Sequence, residues 1–214
     1  MANNWEYPVN KGRFGTLSIN ESIQKKITNL LKHVCTENSK TLGVRFDVHY
    51  PADYQAAGDN EDISKMIAKL KQKYERDGLN PYYYWVREQE RSPNPHYHCG
   101  IFLDGNKVRK FNHVFRNAEK YWRSTIDTKQ KGLIHHCTRG KDGKPHRNGI
   151  IVRRYSGDPE QQKRNEQDFA DMHHQNSYVS KRSSKSGPKD GLRDIGISRL
   201  PRRTDQKKRH RHDA

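Results

Sequence analysis

Apolar residues recur along this chain with two periods, one near 3.6 and one of 2, and the switches between them mark its elements. Ile23, Ile27, Leu30, Leu31 and Val34 fall on one helical stripe, with Ser18 and Glu21 ahead of them as a capping-box pair. From Thr41 to Tyr50 the pattern alternates. Val44, Phe46 and Val48 point to one side and Arg45, Asp47 and His49 to the other, as in a strand covered on one face. Asn60 opens a second helix through Ile63, Met66, Ile67, Leu70 and Tyr74, ended near Gly78. Tyr82 to Leu103 reads as two strands joined by the turn residues RSPNP, and Asp104-Gly105 closes the second of them. Phe111, Val114, Phe115, Ala118, Tyr121 and Trp122 mark a third helix. GLIHHC (132–137) and GIIVRR (149–154) read as a further strand pair joined by a turn-rich loop. A last helix begins at Asp158 as N-cap with Pro159 in its first position and carries Phe169, Met172 and Val179.

Helices interspersed with an antiparallel sheet give an α+β fold, with helices on one face and the other face open for substrate. The hydrophobic fraction is 30%, enough for one modest core. One domain is therefore expected over 17–185, with an extension at 1–16 and a basic, disordered tail at 186–214. A formal charge of +17 creates a field that attracts a polyanion and speeds encounter with it. From Arg199 onward seven Lys or Arg stand against two Asp, which suits a DNA-gripping arm. Tyr82, Tyr83, Tyr84 and Trp85 could stack unpaired bases, although strand alternation assigns Tyr83 and Trp85 to the core. Cys35, Cys99 and Cys137 have no paired spacing, which argues against a disulfide framework and for a reducing cytoplasm. Neither a signal-peptide run nor a membrane-length apolar stretch is present, so no membrane partner is expected.

Candidate chemistry concentrates in YYYWVREQERSPNPHYHCGIFL (82–103). In an extended strand His96 and His98 share a face, while Tyr97 points away with Cys99, Ile101 and Leu103. Two neutral imidazoles and a carboxylate from the preceding strand, Glu88 or Glu90, suit one Mg²⁺ or Mn²⁺ with coordination positions left for a phosphate. With twelve histidines in the chain, about one His-x-His triplet arises by chance, and another stands at His210 and His212. Context carries the reading further than the triplet does. Far along the chain, SYVSK (177–181) places Lys181 three residues after Tyr178. On a helix these are neighbours, so the ammonium can favour the phenolate that a tyrosine nucleophile needs. His135, His136, Cys137 and His146 fit no standard zinc spacing and read as strand ends.

The runs VRFDVHYP, YYWVREQE, HYHCGIF and SYVSK, in that order, together resemble the HUH endonuclease superfamily. They are most similar to rolling-circle replication initiators of the inovirus type and to the phage and prophage YagK/YfjJ-like family, over residues 20 to 185. The resemblance implies a ferredoxin/RRM-like HUH core and an enzyme that nicks and rejoins single-stranded DNA, at an origin or stem-loop, through a 5′-phosphotyrosine. It implies His96, His98 and Glu88 as ligands of Mg²⁺ or Mn²⁺, with Glu90 the alternative, Tyr178 as nucleophile and Lys181 as its electrostatic partner. Arg45 and Asp47 lie on the strand that would flank the site. The host cell's helicase and polymerase are implied as further partners, in the bacterial cytoplasm. Two other functions fit the same residues. A single-tyrosine transposase of this superfamily carries glutamine four residues after the tyrosine, where this chain has Arg182. A catalytically inactive, basic DNA-binding regulator would account for the charge but leave the pairing of HYH with YVSK without a purpose.

Overall fold

A computed structural model of the chain describes residues 6–12, 15–89, 92–108, 110–139, 145–154, 157–181 and 191–201. Its centre is the antiparallel pair β1 (Lys40–Val48) and β3 (His96–Asp104), in register from Thr41 opposite Asp104 to Val48 opposite Tyr97. This register puts Leu42, Val44, Phe46 and Val48 on the same face as Tyr97, Cys99, Ile101 and Leu103. Helices α2 (Glu61–Arg76) and α3 (Asn112–Thr125) bury that face with Ile63, Met66, Leu70, Val114, Phe115 and Trp122. Trp122, wholly buried, donates its indole N–H to His49 O at 2.8 Å, so its one polar atom is satisfied.

Beside β3 runs β2 (Tyr82–Glu88), and on its far edge lies β6 (Ile195–Ile197). On the other side β1 pairs with two strands end to end. β5 (Ile150–Arg153) takes its first half and the two-residue β4 (Ile134–His135) its end. The result is a six-stranded antiparallel sheet of order β4-β1-β3-β2-β6 with β5 also on β1, the α+β class the pattern predicts. Three expectations change in detail. The 132–137 and 149–154 segments each pair with β1 instead of forming a ladder with one another, because β1 is long enough to seat both. β6 carries the sheet past residue 185, where the domain was expected to end, and places part of the expected tail in the fold. Asn20, not Ser18, caps the first helix α1 (Glu21–Glu37), accepting from the Ile23 N–H at 3.2 Å.

Helices also cover both sheet faces instead of one. The histidine face is not uniformly polar: Tyr84, Val86, Phe102, Ile150 and Val152 on it must be buried, and α1 with α4 (Pro159–Ser177) does so through Ile23, Ile27, Leu30, Leu31, Val34 and Met172. Two glycines make the fit possible. A Cβ on Gly100 would lie 2.3 Å from Tyr84 Cε1, and one on Gly43 2.8 Å from Met172 Cε. Beyond α1 and α4, at the other end of this face, stand Arg45, Asp47, Glu88, His96 and His98, of which Arg45, Glu88 and His98 are buried. The aromatic run is spoken for: Tyr84 and Trp85 are buried, and Tyr82 and Tyr83 pack partly buried against the two cores.

Candidate functional site

β2 and β3 pair Glu88 directly opposite His96 and Val86 opposite His98, while β1 and β3 pair Asp47 opposite His98. Alternation then turns Asp47, Glu88, His96 and His98 to one face. His98 sits at the centre, with both imidazole nitrogens against carboxylates: Nδ1 is 2.6 Å from Asp47 Oδ1 and Nε2 is 2.7 Å from Glu88 Oε2. Carboxylates only accept, so a proton or a cation must bridge each approach. Asp47 fixes the Nδ1–H, which leaves Nε2 as the atom that can face a metal. His96 Nε2 lies 3.9 Å from the same Glu88 oxygen, and its ring stacks on His49 at 5.3 Å.

Glu88, His96 and His98 thus form a group that could hold a metal ion, with donor atoms within 4.8 Å of one another. One carboxylate oxygen and two imidazole nitrogens fit a divalent ion of intermediate hardness. Burial, with neighbouring His98 adding to it, lowers His96 to about 4, so its imidazole is neutral at neutral pH, as a ligand must be. A second group, Asp47, His135 and Cys137, satisfies the same spacing.

The tyrosine arrives from the other end of the chain. α4 starts as the sequence predicts, with Asp158 accepting from the Glu160 N–H at 3.0 Å and Pro159 following. It ends at Ser177, before the predicted pair, and Tyr178–Ser180 forms a 3₁₀ turn. With three residues per turn, i and i+3 eclipse. Lys181 Nζ accordingly donates to Tyr178 Oη at 3.1 Å and also meets Glu88 Oε1 at 2.9 Å. Burial disfavours this ammonium, yet the bonds to Glu88 and Tyr178 outweigh it and raise its pKa. The Tyr178 ring stands edge-on to His98 at 5.9 Å and under the Arg45 guanidinium at 5.1 Å.

Arg45 completes the cluster. Its NH2 donates to Asp47 Oδ1 at 3.1 Å, while its Nε is buried without a hydrogen-bond partner. Burial opposes the charge, but Asp47 outweighs it and keeps the guanidinium ionised. The Asp47 carboxyl is likewise pushed up by burial and pulled further down by Arg45 and His98, ending well below the usual range.

Seven predicted residues therefore meet in one volume: Arg45, Asp47, Glu88, His96, His98, Tyr178 and Lys181. Glu90, the alternative carboxylate, and Arg182, the position compared with the transposases, lie outside the described residues. So do most of the basic tail, from Arg202 on, and the loop 140–144. Two neighbours were not placed beside this site from the sequence. His49 was legible as the next outward residue after Asp47 on β1. His135 was not, because its approach to Asp47, with Oδ2 3.6 Å from Nδ1, depends on β4 pairing. Of the other residues weighed for zinc, His136 turns away to stack on Phe115 at 4.1 Å.

All three cysteines are free. Among the described residues no helix is long and apolar enough to cross a membrane. A protein-family model described as the YagK/YfjJ C-terminal domain matches residues 15–198. No curated protein and no solved structure matches the chain.

Proposed function

The chain belongs to the YagK/YfjJ C-terminal domain family, and on that premise we propose that it is a single-strand DNA endonuclease that nicks and rejoins its substrate through a 5′-phosphotyrosine, as a rolling-circle replication initiator does. One observation carries the reading. Lys181 Nζ bridges Tyr178 Oη, at 3.1 Å, and Glu88 Oε1, at 2.9 Å, so a phenol from the end of α4 and a His-His-carboxylate cluster from the sheet share one ammonium. A structural lysine needs neither partner to be a tyrosine. A nucleophile needs both a cation at its oxygen and a phosphate site beside it.

Glu88, His96 and His98 would hold Mg²⁺ or Mn²⁺, which when bound would polarise the scissile phosphodiester as a Lewis acid. Tyr178 Oη attacks phosphorus in line, forming the tyrosyl–phosphate bond as the bond to the 3′-oxygen breaks. The phenol proton leaves to solvent and the departing 3′-oxygen takes one up. Lys181 donates to Tyr178 Oη and favours the phenolate; Arg45, over the ring, adds positive charge on the same side. Asp47 holds the His98 ring in orientation through Nδ1. The energy of the broken bond is kept in the phosphotyrosine, so the same site can rejoin the strand.

The test is a denaturation-resistant adduct between the protein and end-labelled single-stranded origin DNA in Mn²⁺. The wild-type chain is expected to form it, Tyr178→Phe to form none, and His96→Ala or chelated samples at most a hundredth as much. An adduct that persists in Tyr178→Phe removes that residue from the role. If the wild-type chain binds the DNA and forms no adduct in Mg²⁺ or Mn²⁺, the regulator reading replaces this one.

A further inference from the structure

Next to His98, but on the opposite side of Asp47, lies a cluster of which the nicking reaction uses only Asp47. Asp47 and His135 are direct cross-strand partners in the β1–β4 pairing, so their side chains leave the sheet side by side. Two residues on, Cys137 has φ +51°, a left-handed backbone that is uncommon for a residue other than glycine. That bend carries its sulfur back over the strand end, 3.6 Å from His135 Nδ1. Asp47 Oδ2 also stands 3.6 Å from the same nitrogen.

These spacings are informative. A tetrahedral zinc ion holding an imidazole nitrogen, a carboxylate oxygen and a thiolate at ordinary bond lengths sets the nitrogen–sulfur edge at about 3.6 Å and the nitrogen–oxygen edge at about 3.4 Å. The cluster already has both within a few tenths of an ångström. A simple imidazole–carboxylate hydrogen bond would close to about 2.8 Å instead, as the same carboxylate does with His98. The donor set matters as much as the distances. Oxygen, nitrogen and sulfur together select a borderline ion such as Zn²⁺ and are poor ligands for Mg²⁺. The carboxylate and the thiolate balance a divalent charge, with the thiol proton released to solvent on binding. Cys137 is buried and the His135 side chain is 56% exposed, which gives the ion an entry path and leaves the fourth position to water.

We propose that Asp47 Oδ2, His135 Nδ1 and Cys137 Sγ form a second metal site, selective for Zn²⁺, that shares the Asp47 carboxylate with His98. Zinc here clips β4 to the end of β1 and fixes the plane of the carboxylate that orients His98. The site is independent of whether Tyr178 forms a phosphotyrosine, and its test needs no DNA. Chelator-stripped full-length protein is titrated with Co²⁺, whose bond to thiolate produces a charge-transfer band in the near ultraviolet.

The band should appear and saturate at one equivalent in the wild-type chain, survive in His96→Ala, vanish in Cys137→Ser, and be displaced by Zn²⁺ but not by excess Mg²⁺. Cys35→Ser serves as the control thiol and should leave it unchanged. His135→Gln, altered at an exposed ring that the core does not need, should weaken Co²⁺ binding at least tenfold even if Cys137→Ser folds poorly. A band that persists in Cys137→Ser, no band in the wild-type chain, or unchanged affinity in His135→Gln would each overturn the site.

Discussion

Asp47 is the residue on which the most depends for its size. Its Oδ1 receives both His98 and Arg45, at 2.6 and 3.1 Å, and it is held ionised against its own burial. Replacing it by asparagine keeps the shape but offers His98 a weaker acceptor and leaves Arg45 beside a neutral group. Outer partners of metal-binding histidines typically govern affinity by about 10–100-fold. Asp47→Asn is therefore expected to weaken Mn²⁺ binding by that factor, read as free Mn²⁺ by electron paramagnetic resonance, with circular dichroism confirming that the fold persists. Mn²⁺ affinity equal to wild type would show that His98 needs no such support. The face shared by His96 and His98 was legible from alternation alone, since period 2 is a property of any strand. The weight of Asp47 was not: a polar residue on an open sheet face looks the same until the register places it opposite His98.

At the scale of elements, the sheet, the glycines and the end of α4 act together. Tyr84 packs against Gly100 and donates its hydroxyl to Asn176 Oδ1 at 2.7 Å, two residues before Tyr178. The 3₁₀ turn is anchored in turn by Ser180, which donates to Gln24 Oε1 at 2.7 Å and whose carbonyl accepts from the Asn20 N–H at 2.7 Å. α1, β2 and α4 thus jointly aim the tyrosine. Gly100→Ala puts a methyl 2.3 Å from the Tyr84 ring, in a core with no room to yield. Overpacking of this kind costs about 1–3 kcal/mol, so the urea midpoint should fall accordingly, and adduct formation should fall further than stability alone explains because Tyr84 supports α4. An unchanged midpoint would mean that α4 shifts freely. The helix before Tyr178 was legible from its cap and stripe. Its early end and the 3₁₀ turn were not, because they are set by hydrogen bonds to α1, more than 150 residues earlier.

Across the whole molecule, histidines set the response to acid. His33, His49, His96, His136, His173 and His174 all have lowered pKa values, burial being the first cause in each, with His96 at about 4. Among the described residues only His135 is a shifted imidazole that is raised, by its contact with Asp47. In the unfolded chain these rings take up protons near pH 6.5. Because the folded state resists protonation at six positions, the unfolded state binds more protons as pH falls below that value, and stability declines until the folded pKa values are passed. His135 opposes the trend at one position and does not reverse it. The melting temperature of the metal-free chain should therefore drop steadily from pH 6.5 towards pH 4; a flat or rising profile would contradict these burials. In the N-terminal extension, Asn10 N–H donates to Ser177 Oγ at 2.7 Å and Tyr7 stands edge-on to Phe169. By itself the sequence determined the α+β class, the two periodic faces of each element and the candidate residues His96, His98, Glu88, Tyr178 and Lys181, because periodicity and short-range spacing are local properties of a chain. Only the tertiary structure decided which strands β4, β5 and β6 join, which face α1 and α4 cover, and that Asp47, His135 and Cys137 meet, because strand register and helix docking follow from burying side chains that lie far apart in sequence.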